Sequence, residues 1–543
     1  VLPFENLGDP EDEYFADGIT DEITSRLAQL PDIGVISRTS AMQYKGSGAG
    51  LRQIGQELGV QYILEGTIRW ARQGNTNRVR ITPQLIRVAD DRHLWADNYE
   101  RDLTQIFAVQ AEIAGRVADA LNIALGEADK SRLEASPTED LIAYDYFLRG
   151  RDYYELGMRA LEDESAINML KRAVELDSTF SLAYTWLARA AGILYFHNPA
   201  QGRELLDLAK KSAEASFRVS QRGPEGHMAM GYYYYYGEKD YDLALRHFSS
   251  ALVEQPNDAD VIEAISYIQR RLGQWQASLK SMQRAAELDP RSIRKVIELQ
   301  LSALALRQYD LARHYFDLGC EIEPAAQALY ERESWRYIMA YGDTRQARHT
   351  IEQGRRLIGP GSLDEELEIL DIYDRDYQSA LRRRPTADAA RPFDDFNYYL
   401  SKGWIYKLMG DQPTGMLHFD SARVEFENAV TQAPDFPLGH SYLAAALAGL
   451  GRYEDAIREC EFALRLFSDT EDALLYPMVL GHLATVYTLA GNYDGAIETL
   501  DTLLSMPFVY SVNTLKLDPV FDPLRDHPRF KALIEKYEKT HGT

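Results

Sequence analysis

Cysteine is nearly missing from this 543-residue chain. Cys320 and Cys460 stand 140 positions apart, so they support neither a disulfide framework nor a zinc knuckle and read as buried free thiols. Long apolar runs are missing too: the best, residues 442–450, is about half the ~20 residues that a membrane-spanning helix needs. Positive charge is in short supply, with 59 Lys and Arg against 83 Asp and Glu and a formal charge of −24. That balance argues against nucleic acid and anionic membrane as partners, because affinity for either comes largely from Lys and Arg displacing counterions. Catalytic signatures are also absent. The eleven histidines show no H-E-x-x-H spacing, and no G-x-S-x-G elbow or kinase motif set stands out. Lys45-Gly46-Ser47-Gly48-Ala49-Gly50 lacks the order of a phosphate loop and reads as a connection. Asp17, Asp21 and Glu22 gather three carboxylates, which as residues of a first helical turn would complement the macrodipole rather than hold a metal. The reading is non-enzymatic, with no metal and no cofactor.

What is present is repetition. The chain is far longer than the roughly 250–300 residues at which single cores stop growing, so several domains or an array are expected. Pro256, Pro290 and Pro324 are spaced by 34 residues. Before them, in one register, come Ala244, Phe248 and Ala251, then Ser278, Met282 and Ala285, then Ala312, Phe316 and Gly319. The spacing returns at Ala422, Phe426, Ala429 and Pro434, and again at Ala456, Cys460, Ala463 and Ser468. Small residues let two antiparallel helices approach, a large one fills the gap to the next pair, and proline ends the second helix. First helices show Leu443-Ala444, Leu447, Gly451 and Tyr453, then Leu483-Ala484, Tyr487, Gly491 and Tyr493, each glycine suiting a helix C-terminus.

These residues closely resemble the tetratricopeptide repeat (TPR) family. The resemblance spans residues 138–506 and implies an all-α superhelical solenoid of nine to ten repeats, followed by a capping segment at 507–543 with Lys531, Glu535, Lys536, Glu538 and Lys539 on a polar outer face. Two units are degenerate: 180–221 has a long second helix and 363–385 is a truncated pair. About seven extra residues after Gly410, among them Gln412-Pro413-Thr414-Gly415, read either as a protruding contact loop or as a tolerated insertion.

Residues 1–128 do not follow the repeat. β-type runs occur at 1–4, 34–37, 62–70, 78–87 and 93–99, with helices near 21–29, 51–58 and 103–125, an α+β pattern ending in a three-stranded meander. Val1-Leu2-Pro3-Phe4-Glu5-Asn6-Leu7, Tyr14-Phe15-Ala16-Asp17-Gly18-Ile19, Leu64-Glu65-Gly66-Thr67-Ile68 and Leu94-Trp95-Ala96 resemble the TolB amino-terminal/FlgO-like domain. In bacterial proteins of that kind the domain precedes TPR arrays and often follows an adenylyl cyclase, a kinase or a winged-helix domain, frequently with a membrane segment between. The resemblance thus implies an accessory role without catalytic residues, and favours an extracytoplasmic setting over a cytoplasmic one. The first residues read as the end of a buried strand, which implies an upstream signal peptide, anchor or effector domain.

The function expected is protein binding. The TPR resemblance places positions 2, 5, 9, 12 and 13 of each first helix on a concave groove. Those positions are Tyr232, Tyr235 and Tyr236 in one unit, Tyr267, Arg270 and Arg271 in the next, and Trp404 and Lys407 in a later one. Tyrosine and arginine are enriched at interface hot spots because they join large buried area to a polar handle. Arg382-Arg383-Arg384 reads as a solvated helix end or as a basic spot for a negative partner surface. The alternative function is self-assembly into a homo-oligomer or filament through repeat ends, the insertion after Gly410 or an open strand edge.

Overall fold

The apolar–polar alternation of residues 62–87 folds as a long hairpin at the centre of a five-stranded sheet. The structure is a computed structural model that describes residues 1–10, 13–30, 32–73, 76–102, 105–157, 164–197, 203–384, 392–467 and 472–541. Strand β1 (Glu5–Asn6) runs parallel to β2 (Tyr62–Gln73), which pairs antiparallel with β3 (Thr76–Arg87). Strands β4 (Arg92–Ala96) and β5 (Tyr99–Asp102) follow one another along the other edge of β3. The single run expected at 93–99 is therefore two strands, with a register shift at Leu85/Ile86. Residues 1–4 lie beside β2, where Leu2 N–H donates to Leu64 O at 2.8 Å, but regular pairing starts at Glu5. Phe4 N–H is taken by Thr20 Oγ1 at 3.0 Å.

No strand forms at 34–37. Instead Ser37 N–H donates to Leu288 O at 2.8 Å and Asn257 Nδ2 to Ile33 O at 3.2 Å, so this segment is held by the ends of repeat helices. Ser40 Oγ donates to Asp289 Oδ1 at 2.5 Å and accepts from Arg291 N–H at 2.8 Å. The first helix spans Glu13–Ala28 and starts well before the expected residue 21. Asp17, Asp21 and Glu22 are consequently not a first turn: Asp17 and Glu13 hold Lys45, Asp21 pairs with Arg151, and Glu22 with Arg26 at 2.9 Å. Their ion pairs, not a capping role, account for them.

Ile68, Val79, Ile81 and Leu85 of the sheet pack against Ile19 and Ile23 of the first helix and Ile113 and Val117 of helix Ile106–Ala120. The same core runs on into Tyr144, Phe147, Leu170 and Phe180 of the first helix pairs. Close approach is possible because Gly18 has no side chain; a Cβ there would stand 2.4 Å from Leu148 Cδ1.

From Leu141 onward, ten helix pairs follow among the described residues, from Leu141–Gly157 with Ser165–Leu176 to Tyr476–Leu489 with Tyr493–Ser505. The small–large–small residues are interior: Ala244, Phe248, Ala251, Ser278, Met282, Ala285, Ala312, Phe316, Gly319, Ala422, Phe426, Ala456, Cys460 and Ala463 are buried, and Ala429 is half-buried. Ser468 lies outside the described residues. Seven successive first helices end in a left-handed residue, Gly273, Arg307, Gly342, Arg375, Gly410, Gly451 and Gly491. In several units an Asp or Asn then caps the second helix, as Asp343 accepts from Gln346 N–H and Asn492 from Gly495 N–H.

The unit after Gly410 departs from the contact-loop reading of the insertion. Its extra residues lengthen the second helix to Gln412–Gln432, 21 residues, and form no loop. The cause is local: Asp411 caps the helix through Thr414 N–H and Pro413 stands at a helix start, where its missing N–H costs nothing. The truncated unit is Asp364–Tyr373 with Tyr377–Arg383; its expected end, Pro385, lies outside the described residues. After Ser505, helix Val512–Leu517, a 3₁₀ turn Pro519–Leu524 and helix Pro528–His541 pack Phe508, Val512, Leu515, Phe521, Leu524 and Phe530 on Leu500, Leu503 and Leu504.

By contacts the chain forms two compact units, 1–268 with 280–292 and 269–279 with 293–543. No helix of the described residues is long and apolar enough to cross a membrane.

Candidate partner-binding surfaces

The tyrosine run occupies the interior. Tyr232, Tyr235 and Tyr236 are 1%, 5% and 8% exposed. For Tyr235 and Tyr236 the reason lies in the backbone, since residues Tyr233–Glu238 form a π-helix whose wider turn rotates their side chains away from the positions an α-helical count assigns; Tyr232 ends the preceding α-helix and is buried by its packing on Phe248 and Arg189. Tyr232 packs edge-on against Phe248 at 4.9 Å and stacks on Tyr236 at 6.1 Å. Tyr235 stacks on Phe196 at 6.1 Å. The Arg189 guanidinium lies 4.9 Å above Tyr232, 5.2 Å from Tyr154 and 5.0 Å from Trp186, and reaches Asp260 at 3.3 Å. Burial pushes the phenols of Tyr232 and Tyr236 well above their ordinary range. As folded, these three tyrosines join helices and offer almost no surface to a partner.

In the next unit, Tyr267 is half-buried and donates to Glu263 Oε1 at 2.7 Å. Arg270 and Arg271 are each 7% exposed. Arg270 pairs with Glu298 at 2.7 Å, and Arg271 with Asp472 at 2.8 Å across 201 positions of sequence. Trp404 and Lys407 are half-buried: the indole meets Phe419 edge-on at 4.9 Å, and the ammonium sits 5.4 Å over the indole. Burial lowers the Lys407 pKa. Of the eight expected contact residues, Tyr267, Trp404 and Lys407 retain side-chain surface.

Of Arg382-Arg383-Arg384, Arg382 is solvated at the helix end, and the other two are not a free basic spot. Arg383 pairs with Asp371 at 2.8 Å, Arg384 with Glu368 at 2.6 Å, and Arg382 donates to Ser379 Oγ at 2.8 Å. Glu368 also holds Lys402 at 2.8 Å, and Asp371 holds Arg348 at 2.7 Å. Arg384 and Lys402 keep the Glu368 carboxyl below the usual range despite its burial. Nearby Glu366 is pushed up to about 7 by burial, with Glu331 adding to the effect and Arg384 offsetting only part of it.

Among the described residues no three His, Cys, Asp or Glu side chains are grouped to hold a metal. Sequence reasoning singled out the insertion after Gly410 but not the apolar side chains there: with Met409, the long helix exposes Met416, Leu417 and Val424. Its signal was available in the spacing, since Met409 and Met416, and Leu417 and Val424, are apolar residues seven apart.

A tetratricopeptide repeat family model matches residues 438–506. Over 233 residues the chain is 37% identical to "Putative adenylate cyclase 3" of Rhizobium meliloti (strain 1021), covering 42% of this chain and 39% of that protein. It is 21% identical over 243 residues to Hsp70-Hsp90 organizing protein 2 of Arabidopsis thaliana, covering 44% and 41%. The chain thus spans about two fifths of the length of these relatives. Among solved structures, YrrB, a TPR protein with an unusual peptide-binding site, is 16% identical with a TM-score of 0.27 over 38% of this chain and 97% of its own. The APC/C hetero-tetramer Cut9-Hcn1 is 15% identical with a TM-score of 0.32, covering 80% and 83%. An α+β region followed by a helical array of tetratricopeptide type is what the chain folds into, and repeats of this type serve as scaffolds for protein or peptide partners.

Proposed function

We propose that this chain is a non-enzymatic scaffold that binds a protein or peptide through its repeat surfaces, as the accessory half of a bacterial signalling protein. The observation that carries this reading is the succession of helix pairs, with the tetratricopeptide match over 438–506. The relative from Rhizobium meliloti, named for a cyclase, supports the signalling context. The motifs of residues 1–128 and the strand–helix order around β2 and β3 support a TolB amino-terminal/FlgO-like type for that region, ahead of repeats over 138–506 and a cap over 507–543. Contact then falls to the partly exposed Tyr267, Trp404 and Lys407. The test is capture of partners by the immobilised chain, with Trp404→Ala and Lys407→Ala as controls. A partner retained by the parent chain and lost from both variants supports the assignment; equal retention by all three removes these residues from it.

Self-association is the second reading, and the exposed Met409, Met416, Leu417 and Val424 favour it. Light scattering across a concentration series separates the two. A constant mass of 61.7 kDa excludes self-association in that range, and a rising mass that falls back in Leu417→Asp supports it.

A further inference from the structure

Two histidines face each other across one helix pair. His227 lies in the first turn of helix Pro224–Tyr232 and His247 in the middle of helix Tyr241–Glu254, and their Nδ1 atoms stand 3.0 Å apart. Both rings are half-buried, and neither makes another hydrogen bond among the described residues. That sets them apart from His440, whose Nδ1 meets Glu459 at 2.7 Å and whose Nε2 meets Pro434 O at 2.8 Å, and from His482, whose Nδ1 is taken by Ser441. Those two serve packing, whereas the Nδ1 atoms of His227 and His247 meet only each other. Their setting is rigid. Phe217 of helix Arg203–Val219 stands edge-on to both rings, at 5.2 and 5.8 Å, and Tyr234 stacks on His247 at 5.5 Å. Gly226 lets the helices close up, since a Cβ there would stand 2.5 Å from Phe217 Cα. A hydrogen bond between two imidazoles needs one ring neutral at the shared position, so one Nδ1 already presents a lone pair. Burial lowers the pKa of both rings, which favours the neutral form of each.

We propose that His227 and His247 together bind one divalent transition-metal ion of the Cu2+ or Ni2+ type, with water at the remaining positions. Neutral imidazole is a ligand that suits both ions. With metal–nitrogen bonds of about 2.0–2.1 Å, donors 3.0 Å apart subtend about 95° at the ion, close to the cis angle of a tetragonal site and narrower than a tetrahedral one. On binding, the two Nδ1 atoms turn off their mutual line toward the ion. The ring that was donating loses its Nδ1 proton and takes one up on Nε2, a change of tautomer with no net release of protons. Glu254 and Arg222 both act on His227, the carboxylate favouring positive charge there and the guanidinium opposing it. The inference is independent of the proposed function, since ion binding is read on the chain alone.

The test is calorimetric titration of the full chain with Cu2+ and with Ni2+ near neutral pH, alongside His227→Gln, His247→Gln and, as an exposed control, His93→Gln. One equivalent of each ion should bind the parent and the control, and either pair variant should weaken that site by about tenfold or more. Electron paramagnetic resonance of the parent with one equivalent of Cu2+ should show two nitrogen donors, falling to one in either pair variant. The ion should also raise the melting temperature of the parent more than that of the variants, with circular dichroism checking that all of them fold alike. A parent that binds neither ion overturns the proposal. So do pair variants that bind both ions as the parent does, which would mean that the pair is a structural hydrogen bond and the uptake adventitious. If the glutamine variants fail to fold, the resonance of the parent decides, because a spectrum without two nitrogen donors overturns the site by itself.

Discussion

Two stretches of the array hold neighbouring helix pairs together with opposite chemistry. In residues 181–254 the joint is aromatic: Tyr232, Tyr235, Tyr236, Phe196 and Phe248 stack around the Arg189 guanidinium. In residues 364–402 it is ionic: Glu368 and Asp371, both buried, collect Arg348, Arg383, Arg384 and Lys402. The short helices Asp364–Tyr373 and Tyr377–Arg383 have little apolar surface to share, and charge takes over where hydrophobic area runs out. An aromatic joint loses stability in proportion to the atoms removed. An ionic joint fails abruptly, because deleting one partner leaves the other charged and desolvated.

Lys402→Ala should therefore give the largest effect, about 3–5 kcal/mol of lost stability by denaturant unfolding, since Glu368 keeps its burial and loses a counter-charge. If Lys402→Met combined with Glu368→Leu is no more stable than Lys402→Ala alone, the cost is packing and the comparison breaks. Tyr232→Ala should cost about 3 kcal/mol through the cavity it leaves between Phe248 and Arg189.

A smaller effect is expected with pH. Burial lowers the His482 pKa to about 4 from 6.5, so the folded chain disfavours the proton that the unfolded chain takes up. The contribution is whole above pH 6.5 and is lost as pH falls toward 4, about 2 kcal/mol by pH 5. Glu366 and Asp518, raised by burial to about 7 and about 6, act in the opposite sense. The His482 share is accordingly the difference in slope between the parent chain and His482→Gln, and equal slopes would refute it. The smallest changes, within about 0.5 kcal/mol, are expected for Tyr232→Phe, whose hydroxyl has no hydrogen-bond partner among the described residues, and for the exposed Leu417→Asp. A large loss in Tyr232→Phe would show that a water bonds the hydroxyl inside the aromatic joint.

The period, the small–large–small residues and the left-handed turn glycines were legible because each acts between helices adjacent in sequence. The hairpin at 62–87 was legible for the same reason, through its alternation and its pairing from Tyr62 with Arg87 inward. Helix Glu13–Ala28 was read too short because the carboxylates at 17, 21 and 22 resemble a helix start; Lys45, Arg151 and Arg26 satisfy them in mid-helix. Tyr235 and Tyr236 were assigned by α-helical counting, which the π-turn from Tyr233 invalidates, and Tyr232 was assigned without its distant neighbour Arg189.

From sequence alone come the repeat, its phase and the α+β start, all set by local periodicity. Only the tertiary structure decided which candidate surfaces stay open. Arg271 is a groove cation until Asp472 arrives from 201 positions away, and Arg383 and Arg384 are a basic patch until Asp371 and Glu368 turn toward them. A side chain's exposure depends on everything that packs against it, and no window of sequence contains all of those neighbours.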